Sequence, residues 1–223
     1  MHYNVTAMWQ YVPYFLPAAL MTLEVTFFGI LLGLLLGLGT AFCRISDKIW
    51  LNGPAQLYIY LIRGTPLLLQ LLFLYYGMRS ILGLGALYSA VLALGVHNGA
   101  YLAEIFRGAI QSIANGQMEA ARSLGMTHAR AMIRIILPQA FKRAIPALGN
   151  QFIIALKDSS LASTITIQEL LLKSQQLASS NFMMMEMLSI AAVFYLAYTG
   201  LFTWLFHSIE RRLDVSDRQG ANA

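Results

Sequence analysis

Four polar residues in a row, Lys157-Asp158-Ser159-Ser160, end a stretch that is otherwise oily. A second polar group lies upstream, where His97, Asn98, Tyr101 and Glu104 interrupt an apolar run that closes at Arg107. Gln70 stands alone in LLLQLLFLYYGM. Carboxylates in apolar surroundings can hold a cation or form an ion pair. Hydroxyl and amide groups beside them can donate to an anion. Two uses are open: recognition of a charged solute by Asp158 or Glu104, or interhelical salt bridges such as Glu104 with Arg107 or Lys157 that only fix a bundle. Asn98, Tyr101 and Glu104 recur at intervals of three, so each pair lies near one helix face while the stripe drifts around it. Lys157 and Asp158 are adjacent and cannot share one face unless the helix opens there.

The elements that must carry these groups are membrane helices. Of the 223 residues, 58% are hydrophobic and 11% are charged, and mean hydropathy is +0.62. Soluble domains carry about 25% charged residues. Buried ionisable groups in a bilayer are costly and face a bundle interior or a cavity. The net charge of +5 is dispersed between apolar runs and does not form a nucleic-acid stripe. A lone cysteine, Cys43, excludes an intrachain disulfide and a cysteine-cluster metal site, and the four histidines show no metal spacing. The first fourteen residues lack the basic leader of a cleavable signal peptide.

Five crossings are expected: Phe15 to Cys43, Ala55 to Met78, Ala86 to Phe106, Pro138 to Ser163 and Met187 to Phe206. The second is broken at Arg63-Gly64-Thr65-Pro66, with a new helix starting near Pro66. Gly29, Gly33 and Gly37 fall on one face of the first and permit close helix contact. Arg79 to Gly85 reads as a short turn. Glu169, Lys173 and Gln175-Gln176 read as a polar connector. With the N-terminus outside, the inner face receives Arg44, Lys48, Arg63, Arg107, Arg122, Arg130, Arg134, Lys142, Arg143, Arg211, Arg212 and Arg218. The outer face receives Arg79 and Lys173. Twelve against two favours an N-out, C-in chain. The expected organisation is an all-α polytopic membrane protein with an external segment 1–14, a transmembrane body 15–210 and a cytoplasmic tail 211–223.

The longest polar stretch between crossings contains EAARSLGMTHARAMIRIILP, residues 119 to 138. Met118 to Leu124 suits a helix, Gly125-Met126-Thr127 breaks it, and Thr127 can cap a second helix from His128 to Leu137. Pro138 is expected to reset the chain for the next crossing. Ala120, Ala121, Leu124 and Met126 then form a small apolar knob ringed by charge, suited to docking another protein or to lying along the membrane surface.

This stretch resembles the EAA loop of bacterial ATP-binding-cassette importer permeases: Glu-Ala-Ala, three residues, Gly, nine residues, Ile-x-Leu-Pro. Here these are Glu119-Ala120-Ala121, Gly125 and Ile135-Ile136-Leu137-Pro138. The polar amino acid branch is suggested by Arg63-Gly64-Thr65-Pro66-Leu67-Leu68-x-Gln70 and by Ala100-Tyr101-x-x-Glu104-x-x-Arg107-Gly108. Gly116-Gln117-x-Glu119, Pro138-Gln139-Ala140 and Lys157-Asp158-Ser159-Ser160-Leu161 extend the match. Position 159 is often Thr in relatives; Ser159 keeps the hydroxyl.

The resemblance implies a multi-pass permease of the bacterial inner membrane that imports polar amino acids such as glutamine, cystine, arginine or histidine. It pairs with a second permease, identical or related. Two ABC ATPases would bind the coupling loop 117–138 through Glu119, Ala120, Ala121, Leu124, Gly125 and Pro138, and an external solute-binding protein would deliver substrate. An amino acid has an ammonium group for Asp158 or Glu104 to accept. Its carboxylate could meet donors such as Asn98, Ser159, Ser160 and free helix amides, with Tyr101 and Gln70 along the path. The sequence lacks the Gly-x-x-x-x-Gly-Lys-Ser/Thr phosphate loop, so ATP and Mg belong to the partner ATPase and this chain carries no cofactor, no metal and no catalytic site. An ion-coupled amino acid carrier and a non-transporting membrane scaffold are the alternatives.

Overall fold

A computed structural model describes residues 5–213. The expected tail 211–223 lies largely outside them. The described chain is helical throughout. Helix α1 spans Val5–Arg44, α2 Ile49–Arg63, and α3 Leu67–Leu72, which continues as a π turn over Phe73–Gly77. Then come α4 (Arg79–Leu82), α5 (Ala86–Gln111), α6 (Asn115–Ser123) and α7 (His128–Ala131). A second π turn, Met132–Ile136, leads into α8 (Leu137–Asp158). A 3-10 turn over Ser159–Ile165, α9 (Leu170–Asn181) and α10 (Met184–Arg212) complete the order.

Three helices are long and apolar enough to cross a membrane: α1 from Met8, α5 and α10. The count rises to four if α2 and the α3–π segment, bent by 102°, form one broken span. The bend falls where proline demands it. Pro66 takes the N-cap position of α3 in extended conformation, and its ring disfavours helix in Thr65 before it, so α2 stops short of it.

Helix α5 is the central element. Its apolar window is 61% buried within the chain, against 11% for α10, whose exposed Val193, Leu196 and Trp204 face outward. The most extensive pairing is α1 on α5. It is set by the glycine face expected from sequence. A β-carbon on Gly37 would sit 2.7 Å from Leu102 Cβ and 3.0 Å from the Gly99 carbonyl oxygen. From the other side, one on Gly95 would fall 2.5 Å from Leu32 Cδ2. The backbones therefore approach to a distance that no larger residue permits.

Three apolar clusters flank this seam. Val25, Leu71, Leu94 and Ile165 join α1, α3, α5 and the 3-10 turn. Ala41, Leu102, Phe106 and Ala140 join the other ends of α1 and α5 to α8. Phe15, Leu170, Met187 and Ile190 join α1, α9 and α10.

Three sequence expectations change. The turn at 79–85 contains the short helix α4, closed by Gly83 in left-handed conformation. The polar connector at 169–176 is helix α9, and Glu169 at its start is fully buried. Pro138 does not reset the chain. It is the second residue of α8, and helix runs through it from His128. The preceding π turn accommodates the ring, with Leu137 N–H donating to the Met132 carbonyl.

Gly37→Leu should prise α1 from α5 and lower the thermal stability of the purified protein by about 1–3 kcal/mol, the usual cost of overpacking. Gly39→Ala, where an added β-carbon meets nothing within 4 Å, should leave the melting temperature close to wild type.

Candidate functional site

The polar residues singled out from sequence have separate neighbourhoods. Asn98 is fully buried. Its Nδ2 donates to the Leu94 carbonyl at 2.8 Å, and its Oδ1 accepts from Gln151 Nε2 at 2.8 Å. That amide pair ties α5 to α8. Gln151 carried a faint sequence signal, one of two adjacent amides, Asn150-Gln151, ahead of an apolar stretch. Tyr101 lies beneath the Arg63 guanidinium, 5.1 Å from ring centroid to Cζ, and its ring centroid is 5.0 Å from that of His97. Glu104 is ion-paired. Its Oε2 accepts from Arg107 Nη2 at 2.7 Å, its Oε1 accepts from Arg107 Nε at 3.0 Å, and Arg44 Nε lies 4.0 Å away. Arg44 Nη1 in turn donates to Asn52 Oδ1 at 2.5 Å. One carboxylate thus gathers the ends of α1 and α5. The stripe Asn98, Tyr101, Glu104 drifts as its spacing requires, and each residue meets a different helix.

Gln70 organises the bend. Its Nε2 donates to the carbonyls of Ile62 at 2.8 Å and Thr65 at 3.1 Å, and to Thr65 Oγ1 at 2.9 Å. Its Oε1 stands 3.1 Å from His97 Nδ1. The carbonyls freed where α2 stops before Pro66 are thereby satisfied from α3, as a broken helix in an apolar medium requires.

Asp158 is different. It is the last residue of α8, half-buried. Among the described residues its carboxylate accepts no hydrogen bond, and no ion pair joins Lys157 or Asp158 to Glu104. A helix C-terminus is the negative end of the macrodipole, so a carboxylate there is disfavoured. Only the neighbouring Lys157 charge offsets it. The α-helix breaks at this point. Ser159 Oγ donates to the Leu156 carbonyl and Ser160 Oγ to the Lys157 carbonyl, each at 2.7 Å. Their hydroxyl protons are committed to the last turn of α8; Ser159 is fully buried, and Ser160, half-buried, offers acceptor lone pairs outward. The opening of the helix expected at KDSSL is present as the 3-10 turn, closed by Thr166 in left-handed conformation, φ 72°.

The 119–138 loop forms two helices around a glycine corner. Gly125 has φ +82°. Its N–H donates to the Arg122 carbonyl at 2.9 Å, and Met126 N–H to the Ala121 carbonyl at 3.1 Å, the paired bonds of a Schellman ending. A β-carbon on Gly125 would meet no atom within 4 Å, so the requirement is conformational and not one of space. Thr127 Oγ1 accepts from Arg130 N–H and caps α7. Leu124 stands 85% exposed at the tip, whereas Ala121 is 2% exposed and packs inward. Glu119, Ala120 and Pro138 are exposed. Arg143 of α8 donates to the Ser112 carbonyl and steadies the turn before α6. A cleft of about 790 Å³ separates the Arg44–Asn52 stretch from α6, α7 and the π turn. Arg44, Asp47, Asn52 and His128 line it, and it lies apart from Asn98, Tyr101 and Asp158.

Residues 29–215 match the family described as binding-protein-dependent transport system inner membrane component. The chain belongs to that family. This permease is 36% identical over 218 residues to the glutamine transport system permease protein of Escherichia coli, covering 96% of this chain and 100% of that protein. It is 40% identical to the L-cystine transport system permease protein of Bacillus subtilis, covering 86% and 83%. Its fold matches a chain in the crystal structure of an amino acid ABC transporter with histidines, with a TM-score of 0.89 and 41% identity, covering 95% and 100%.

Gln70→Leu removes the donor that serves Ile62 and Thr65 and leaves His97 without its partner. The purified permease should lose about 1–3 kcal/mol of stability, the cost of buried polar groups left unpaired, read as a lower midpoint in thermal denaturation.

Proposed function

We propose that this permease carries polar amino acids inward across a bacterial cytoplasmic membrane as half of a permease pair. The observation that carries the solute reading is the Asp158 carboxylate, held without a partner at the unfavourable end of α8. The natural complement of such a group is a cation on the solute, and an α-ammonium meets it. Acceptor lone pairs on Ser160 suit the same ammonium, with Ser159 buried behind it. Asn98, Tyr101, Gln70 and Glu104 support the surrounding wall, each through its own partners. The relatives' names, glutamine and L-cystine, favour the same solute class. The cleft within one chain lies apart from these residues, which favours a path completed by a second subunit.

The chain itself is not an enzyme. ATP and Mg belong to two partner ATPases docked on the 117–138 loop, where the rigid Leu124 tip and the Gly125 corner supply a preformed contact beside Glu119, Ala120, Ala121 and Pro138. An extracytoplasmic solute-binding protein delivers the amino acid. The topology that fits has five crossings, α1, the bent α2–α3 pair, α5, α8 and α10. Segment 1–14 is outside, the body is 15–210, and the tail 211–223 is inside. The apolar middle of α8 is flanked by Lys142 and Arg143 at one end and Lys157 and Asp158 at the other, which suits a crossing.

Asp158→Asn keeps the shape of the side chain and removes its charge. In proteoliposomes with ATPase and binding protein, ATP-driven uptake should fall roughly tenfold or more, the scale of one charge-assisted hydrogen bond, while the complex assembles in normal amount. Wild-type uptake by this variant removes Asp158 from the solute site. Uptake driven by an ion gradient without ATPase would instead favour the carrier alternative.

Topology is tested with cysteines replacing Gln10 or Ser123 in a Cys43→Ala background. In intact cells an impermeant thiol reagent should label position 10 and spare position 123. The reverse pattern refutes the N-out arrangement.

A further inference from the structure

Arg63 is the last residue of α2, at the 102° bend. A basic residue in that place ordinarily caps the final carbonyls of its own helix. Here those carbonyls are already served. Tyr60 accepts from Gly64 N–H at 2.9 Å, Leu61 from Thr65 Oγ1 at 2.9 Å and Ile62 from Gln70 Nε2 at 2.8 Å. Among the described residues the Arg63 guanidinium makes no hydrogen bond and no ion pair. It lies over the Tyr101 ring, 5.1 Å from centroid to Cζ. That ring is itself backed by His97, 5.0 Å away between centroids, and His97 Nδ1 stands 3.1 Å from Gln70 Oε1. The charge therefore sits on a braced platform with its donors unspent.

Its depth sets it apart from the inner-face charges with which the sequence count groups it. Tyr101 is ten residues, about 15 Å along α5, short of the Gln111 end that leads to the 119–138 loop. A charge at such a depth faces a bundle interior or a cavity, and the C-terminal end of α2 favours a cation there. Arg63 and the Gly64, Thr65 and Pro66 that follow it are exposed. A planar fork of donors matches the two oxygens of a carboxylate. The carboxylate one turn further along α5, Glu104, is already held by Arg107 through two bonds. We infer that Arg63, seated on Tyr101, takes the α-carboxylate of the passing amino acid. The inference rests on the solute reading above.

The two charges make separate stations. Asn98 and Gln151 set the register of the antiparallel α5 and α8. Tyr101 lies three residues beyond Asn98 toward the 119–138 loop, and Asp158 lies seven residues beyond Gln151 away from it. Along the bundle they are about 15 Å apart, too far for one amino acid backbone to touch both. Asp158 meets the ammonium first, and Arg63 meets the carboxylate further in.

The test measures equilibrium binding to the purified permease–ATPase complex. The probes are glutamine, cystine, arginine and histidine and their α-methyl esters, which keep the ammonium and lack the carboxylate charge. Wild type should bind at least one of the four acids, and its ester roughly tenfold or more weaker, the scale of one charge-assisted bond. Arg63→Gln should weaken the acid by a similar factor and leave the ester within about twofold. Recovery of the complex and basal ATP hydrolysis should stay at the wild-type level. Arg63→Lys keeps the charge, loses the fork and should fall between; it decides if Arg63→Gln is not recovered. Asp158→Asn should weaken acid and ester alike. Acid binding by Arg63→Gln at wild-type strength, beside a weakened Asp158→Asn, overturns the carboxylate station and leaves the solute reading intact. Wild-type binding by both variants, or binding of none of the four acids to the wild-type complex, overturns both. Equal loss of acid and ester in Arg63→Gln, or loss in proportion to the complex recovered, makes Arg63 scaffold or a link to a second permease and also overturns the inference.

Discussion

The seam between α1 and α5 is the constraint on which the rest of the structure depends. In lipid, apolar side chains gain nothing by leaving the solvent, since hydrocarbon surrounds them either way. Helices associate through close van der Waals contact and polar bonds. Gly33 and Gly37 on one side and Gly95 and Gly99 on the other supply the first of these. Once α1 and α5 are locked, the remaining helices have a fixed surface to lie on. Helix α8 meets α5 through Asn98 and Gln151, the α2–α3 bend hangs on Gln70 and His97, and α9 and α10 close over the far part of α1.

The polar groups follow from the same medium. Three irregular backbone positions are served by side chains from within the chain: Gln70 at the α2–α3 bend, Ser159 and Ser160 at the end of α8, Glu169 at the start of α9. Thr22 and Thr26, buried in α1, return their hydroxyl protons to carbonyls one turn back. Asp158, half-buried at the end of α8, stands outside this pattern: among the described residues its carboxylate accepts no hydrogen bond.

Much of this was legible in the sequence where backbone chemistry decides. Pro66 dictated the bend, Gly125 and Thr127 the corner, and the Gly29–Gly37 face the seam. The pairing of Glu104 with Arg107 was open to reading because the partners are three residues apart. The bond between Asn98 and Gln151 joins positions 53 apart, and no local pattern announces it. Helix α9 escaped for a related reason. LLLKSQQLASSN is too polar to read as a membrane element, and only its Leu170–Ser174–Ala178 face is buried, with Leu170 and Ala178 packed against α1 and α10. Pro138 misled because a proline after a charged helix usually ends it. The wide turn before it supplied an alternative that composition does not encode.

That wide turn has a mechanical consequence. Because the helix runs on through Pro138, the piece that begins just past the Leu124 tip does not end until Asp158. At 1.5 Å per residue the run from His128 to Asp158 extends about 45 Å, with the exposed Leu124 near one end and Asp158 at the other. A shaft transmits thrust and rotation along its length in a way that two hinged segments do not. Residues 132–136, where the bonds span five residues in place of four, with Pro138 just after them and Pro146 further along, are where twist can be taken up. A small rotation at the tip would then arrive at the far end as a change in the direction in which Asp158 points.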